Sequence, residues 1–93
     1  MPAPLFPAFI KLADRACLVV GAGEVAASKI ESLLIAGARV TVVAPRAISS
    51  IEDLAHSGRL TWLQREFQSD DLDGVFLVIA ATSSGAVNRA VFL

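Results

Sequence analysis

Residues 16–46 read ACLVVGAGEVAASKIESLLIAGARVTVVAPR, and the order of residue types in them decides the fold. A short apolar run, 17–20, is followed by Gly21-Ala22-Gly23. From Glu24 to about Ala36 the apolar residues Ala26, Ile30, Leu33 and Leu34 recur at i, i+4, i+7 and i+8, the spacing of one helix face. Gly37 stands where a helix takes its left-handed stop. Residues 40–43, VTVV, form a β-branched strand closed by Pro45. The stretch reads strand, glycine turn, helix, glycine stop, strand, which is a βαβ unit with parallel strands.

The alternation continues downstream. Residues 47–57 predict a short helix, with Ser49 or Ser50 as its cap and Glu52 and Asp53 in its first turn, where the helix dipole favours negative charge. Gly58 stops it, and 60–64 is a third strand. Residues 69–74, SDDLDG, read as a turn, and 75–80, VFLVIA, as the most apolar strand of the chain. Residues 82–85 are a loop, and 86–93 begin a helix. Ahead of the first strand, residues 1–15 look irregular or extended and end in a polar turn, LADR. No repeat, low-complexity tract or internal linker interrupts this order. The expected fold is α/β, a Rossmann-type doubly wound parallel sheet over residues 1–93. It looks truncated after the fourth strand, because a full sheet of this kind has more.

Composition agrees with a sheet covered on both faces. Apolar residues make up 55% of the 93 and charged residues 18%, with a mean hydropathy of +0.64. Ordinary domains are roughly 45–50% apolar, and buried parallel strands read as continuous apolar runs. The net charge is −1, with no basic block, so the chain lacks the clustered positive face that a nucleic-acid backbone requires. No apolar run approaches the length of about 18 residues that suggests a membrane span. The first seven residues hold three prolines and no basic segment ahead of an apolar core, which argues against a signal peptide. Cys17 is the only cysteine, so no intrachain disulfide forms. A reducing, cytoplasmic setting fits these features.

The glycine turn carries the chemistry. Gly21-Ala22-Gly23-Glu24-Val25-Ala26 matches G-x-G-x-x-G/A immediately after a strand and at the start of a helix, the context in which this fingerprint binds a dinucleotide. Gly21 permits the tight turn, Gly23 lets a pyrophosphate approach the backbone, and Ala26 lets the helix pack close to the strand. The N–H groups of residues 23–26 and the positive end of the helix would hold the phosphates. An NAD site of the usual kind has an acid about 20 residues on, at the end of the second strand. Val43-Ala44-Pro45-Arg46 has none there. Arg46 could meet a 2′-phosphate, stack on adenine or be solvated. Thr82 and Ser83 follow the fourth strand at the ligand-binding end of such sheets. Their hydroxyls suit ribose or phosphate, although a Ser/Gly turn capping the next helix would look the same.

Other reactive side chains read as structural. Cys17 lies in the first strand as a buried thiol. His56 has no partner at ligand spacing and belongs on the surface of the second helix, while Trp62 is packing and Lys29 is exposed. Asp70, Asp71 and Asp73 lack calcium-loop spacing and a closing Glu, so they form a solvated turn. No Ser–His–Asp set, metalloprotease motif or convincing general base is present.

Two longer blocks then suggest a family. LFPAFIKLADRACLVVGAGEVAASKIESLLIAGARVTVVAP, followed by FLVIAATSSGAVNRAV, resembles the N-terminal module of siroheme synthase, the precorrin-2 dehydrogenase/sirohydrochlorin ferrochelatase family. That family carries CLVVGGGxVAxxK, LLxAGAxVTVVAP and AATxDxxVNxxV in this order. The resemblance implies NAD-dependent oxidation of precorrin-2 to sirohydrochlorin in siroheme biosynthesis, with Fe(II) insertion by the full-length protein and a homodimer built by a later helical region. It implies nucleotide contacts at Glu24, Val25, Pro45 and Arg46, a cleft edge at Thr82 and the following loop, and a match of Asn88 to the family's VN. It also makes NAD the cofactor despite the absent acid, because the family likewise ends its second strand in AP.

Ser83, Ser84 and Gly85 depart from the acidic residues the family often carries after AAT. The family's catalytic aspartate lies on the strand after Leu93. The resemblance therefore assigns no catalytic residue and no metal ligand within the chain, which looks like the cofactor half of the enzyme and inactive alone. Two alternatives compete: a regulatory NAD-sensing module without catalysis, like those of potassium-uptake systems, and a fragment that folds but binds little.

Overall fold

The computed structural model describes residues 12–81 and, for the backbone alone, residues 89–92. In chain order they form β1 (Ala16–Val20), α1 (Glu24–Ile35), β2 (Arg39–Val43), α2 (Ser49–His56), β3 (Thr61–Leu63), a short 3₁₀ helix (Ser69–Leu72), β4 (Leu77–Ala80) and β5 (Arg89–Phe92). The sheet order is β3-β2-β1-β4-β5. The first four of these strands are mutually parallel, and β5 joins β4 antiparallel. The parallel α/β sheet expected from the sequence is present.

Register explains the apolar runs. Cys17 pairs with Val40 and Leu77, and Val19 with Val42 and Ile79. These six side chains lie on one face and meet Ala26, Ile30 and Leu33 of α1 and Ile51 of α2 in a single core. Val19, Ala26, Ile30, Leu33, Val42, Ile51 and Leu77 are all fully buried. The alternate residues point the other way, and among them Leu18 and Val43 are also buried. Burial on both faces is why these strands read as unbroken apolar segments rather than as an alternation.

Three local expectations are corrected. Residues 86–93 were expected to begin a helix, but 89–92 form a strand against β4, while 86–88 lie outside the described residues. The open edge of β4 offers unpaired backbone groups to a strand. Neither Ser49 nor Ser50 caps α2, and Asp53 lies beyond its first turn. The cap position is Ile48, whose own N–H donates to the Ala22 carbonyl at 3.0 Å, so a tertiary bond and not a serine hydroxyl sets the start of this helix. The turn at 69–74 includes a 3₁₀ helix with a capping box, in which Gln68 and Asp71 satisfy one another's backbone amides.

Asp71 is accordingly more than a solvated turn residue. Its carboxylate takes a forked pair from Arg65, at 2.6 and 2.9 Å, and a third bond from the Gln68 amide at 2.8 Å. Hydrogen bonding from Arg65 first, and from the Gln68 amide next, holds the Asp71 carboxyl at about 2, below its ordinary value of 3.8. Asp70 and Asp73 are exposed as expected. Lys29, expected on the surface, is half-buried.

Candidate functional site

The strand order turns back beside β1. The chain first winds outward from β1 through β2 to β3, then returns to place β4 on the other side of β1. Ligands of open parallel sheets bind at such a switch point, outside the carboxyl ends of the strands. At that end lies the glycine turn. Ala81, the residue after β4, donates its amide to the Val20 carbonyl at 2.8 Å, so the exits of β1 and β4 are side by side.

Each fingerprint residue has a physical role there. Gly21 has φ 112°, a conformation that side chains rarely adopt. Its amide donates to the Val43 carbonyl at 3.0 Å, extending the β1–β2 pairing into the turn. Ala22 is buried. Gly23 is the N-cap of α1, with φ −98° and ψ −160°, values open to any residue. A Cβ on Gly23 would meet nothing of the protein within 4 Å. Neither backbone strain nor packing therefore calls for glycine at this position. A glycine there leaves the backbone open to a ligand, as the dinucleotide fingerprint requires. Ala26 is fully buried against the core, as close packing of helix on strand requires.

The helix end is uncapped by side chains. Its first hydrogen bond runs from the Ala27 amide to the Gly23 carbonyl at 2.9 Å, which leaves the Glu24, Val25 and Ala26 amides without an intrahelical acceptor. Such amides, with the helix dipole behind them, form a diphosphate cradle. Glu24 and Val25 are exposed in the first turn.

Beyond β2 the chain runs through Ala44, Pro45 and Arg46. Pro45 and Arg46 are exposed, and among the described residues Arg46 makes no hydrogen bond or ion pair. Ile48, tied to Ala22, returns the loop to the glycine turn. Gly21, Ala22, Gly23, Glu24, Val25, Pro45 and Arg46 thus share the carboxyl end of β1 and β2. Thr82, Ser83 and Asn88 lie outside the described residues.

One contributor escaped the sequence reading. Trp62 packs on the core, as expected, and its indole Nε1–H also donates to the Ala44 carbonyl at 3.0 Å. The available signal was generic: a partly buried tryptophan needs an acceptor for its N–H. Cys17 is buried, and desolvation pushes its thiol up, which keeps it neutral and unreactive. Among the described residues no three His, Cys, Asp or Glu side chains gather to hold a metal ion, and no helix is long and apolar enough to cross a membrane. The arrangement presents unpaired backbone amides at the positive end of α1, the chemistry that suits an anion.

Comparison with known proteins agrees with this geometry. A family described as "Putative NAD(P)-binding" matches residues 8–93. Siroheme synthase 1 of Yersinia enterocolitica is 54% identical over 86 residues, covering 92% of this chain and 18% of that protein. Siroheme synthase of Photorhabdus laumondii is 50% identical over the same shares of the two chains. A solved precorrin-2 dehydrogenase, SirC, superposes with a TM-score of 0.78 at 32% identity, covering 86% of this chain and 40% of the other. The chain thus spans less than half of each of these relatives. With a family match over residues 8–93, the chain belongs to the family described as putative NAD(P)-binding, and it is similar to siroheme synthases and to a precorrin-2 dehydrogenase.

Proposed function

We propose that this chain is the cofactor-binding part of an NAD-dependent precorrin-2 dehydrogenase, which oxidises precorrin-2 to sirohydrochlorin. The observation that carries the reading is the empty space above Gly23. It coincides with uncapped helix amides and with likeness to proteins named for siroheme synthesis and precorrin-2 oxidation. NAD⁺ supplies the hydride acceptor when bound.

This chain's own residues do the holding. The amides of residues 23–26 take the diphosphate, Gly21 and Ala22 shape the turn, and Pro45 and Arg46 bound the adenosine end. Thr82, Ser83 and Asn88 are proposed to complete the cleft from the β4 side. Residues 1–93 are proposed as the N-terminal part of a larger cofactor domain, with the catalytic aspartate and the dimer-forming helices supplied by downstream sequence. The same reading extends to Fe(II) insertion by the full-length protein, to a homodimer and to a cytoplasmic location.

The test uses the polypeptide extended through its native downstream sequence. With precorrin-2 it should reduce NAD⁺, read as NADH absorbance, and Gly23→Val should abolish the signal. A folded, extended protein that leaves NAD⁺ oxidised contradicts the proposal.

A further inference from the structure

We infer that Trp62 is a positioning residue for the nucleotide, acting through the Ala44 carbonyl on the loop that carries Pro45 and Arg46. The inference rests on the reading of the glycine turn as a dinucleotide site.

Trp62 lies on β3, the edge strand beyond β2, in register with Val42. Its ring packs on the core beneath the helices, and its indole N–H reaches forward to the residue two places past Val42, the buried Ala44. The Ala44 amide is held as well, donating to the Leu63 carbonyl at 3.2 Å. Both polar groups of Ala44 are therefore bound to β3.

The Ala44 carbonyl belongs to the peptide that joins Ala44 to Pro45. Fixing that carbonyl fixes the plane from which Pro45 departs, and the proline ring fixes the next φ near −65°. The loop is anchored again at Ile48, through the Ala22 carbonyl. Between these anchors stand the exposed Pro45 and Arg46. They sit at the carboxyl end of β2, where an open sheet receives the adenosine half of a dinucleotide. The direction in which Arg46 leaves the sheet is thus set through the bond from Trp62 to Ala44.

Without the indole N–H the Ala44 carbonyl loses its partner in a buried place, and a group so left turns towards water where it can. Turning it re-aims Pro45 and Arg46. The glycine turn keeps its own bond, from the Gly21 amide to the Val43 carbonyl, which does not run through the indole. The effect is therefore confined to the adenosine end.

The test compares this chain with W62F, which keeps an aromatic ring and removes the donor. Both are titrated with NAD⁺, ADP-ribose and inorganic pyrophosphate by calorimetry or amide shifts. W62F should weaken NAD⁺ and ADP-ribose about three- to tenfold, the factor that one hydrogen bond of ordinary net strength corresponds to, and leave pyrophosphate unchanged. Should W62F fail to fold, replacing the sole tryptophan biosynthetically with its benzothienyl analogue removes the same N–H at nearly unchanged shape, and the same three titrations decide. Equal NAD⁺ affinity in the two proteins overturns the inference and leaves the dinucleotide reading standing. A parallel loss of pyrophosphate binding also overturns it, because the residue would then act only on overall structure. Failure of the unsubstituted chain to bind NAD⁺ overturns both.

Discussion

The amide of Ile48 donates to the carbonyl of Ala22 at 3.0 Å, so the loop that leaves β2 hangs directly on the glycine turn that leaves β1. This bond anchors the far end of the loop, beyond Pro45 and Arg46, to the turn. The amide of Gly21 on the Val43 carbonyl joins them a second time. Substitutions in this unit should separate the demands of the fold from those of the ligand.

The fold itself does not require glycine at position 23. Its dihedrals suit any residue, a Cβ there meets open space, and serine is a better N-cap than glycine. Gly23→Ser should leave the melting temperature unchanged or slightly raised. It should weaken NAD⁺ by more than about tenfold, since the side chain occupies the approach to the backbone. Thermal melting and calorimetric titration of the same sample check both halves.

Gly21 answers to the fold. At φ 112° any side chain is strained, so Gly21→Ala should destabilise the chain by about 1–3 kcal/mol. Urea denaturation reads this directly. An unchanged midpoint would mean that the turn relaxes to a different conformation.

Arg46 bears on which nucleotide is preferred. It is exposed, and the end of β2 carries no acid. Arg46→Asp introduces the acid that bonds ribose hydroxyls in NAD sites and repels a 2′-phosphate. The ratio of NAD⁺ to NADP⁺ affinity should rise about tenfold. Titrations with the two nucleotides at equal ionic strength measure it.

The Arg65–Asp71 fork makes stability depend on acid pH. The folded-state pKa of Asp71 is held at about 2, below its ordinary value of 3.8. A carboxylate depressed in this way contributes stability that is fully present above the unfolded value. That contribution is lost as pH falls through the interval between the two. Asp71→Asn should therefore lower the melting temperature at neutral pH and flatten its decline between the two pKa values. An identical acid profile in the variant would show that the fork contributes nothing to folding.

Much of this was legible in the sequence because it is local. The spacing of Ala26, Ile30 and Leu33 marked the buried face of α1, and Gly37, at φ 83°, marked its stop. The glycine turn was legible because fold and ligand each require small residues at fixed offsets. What failed to show depends on contacts between distant segments. The start of α2 is set by the bond from Ile48 to Ala22, so the serines that looked like caps are not. The bond from Trp62 to Ala44 joins residues 18 apart in sequence, across paired strands, and no spacing rule encodes it. Residues 89–92 are a strand because β4 offers an edge, a fact about the sheet that the segment itself does not carry.

A titration of this chain with NAD⁺, followed by backbone amide shifts, decides whether the glycine turn binds the dinucleotide. Saturable shifts concentrated at residues 21–26, with a second group at Arg46 and Ala47, are the predicted result. Absence of saturable shifts at residues 21–26, in a chain shown by its dispersed spectrum to be folded, would mean that the turn does not bind NAD.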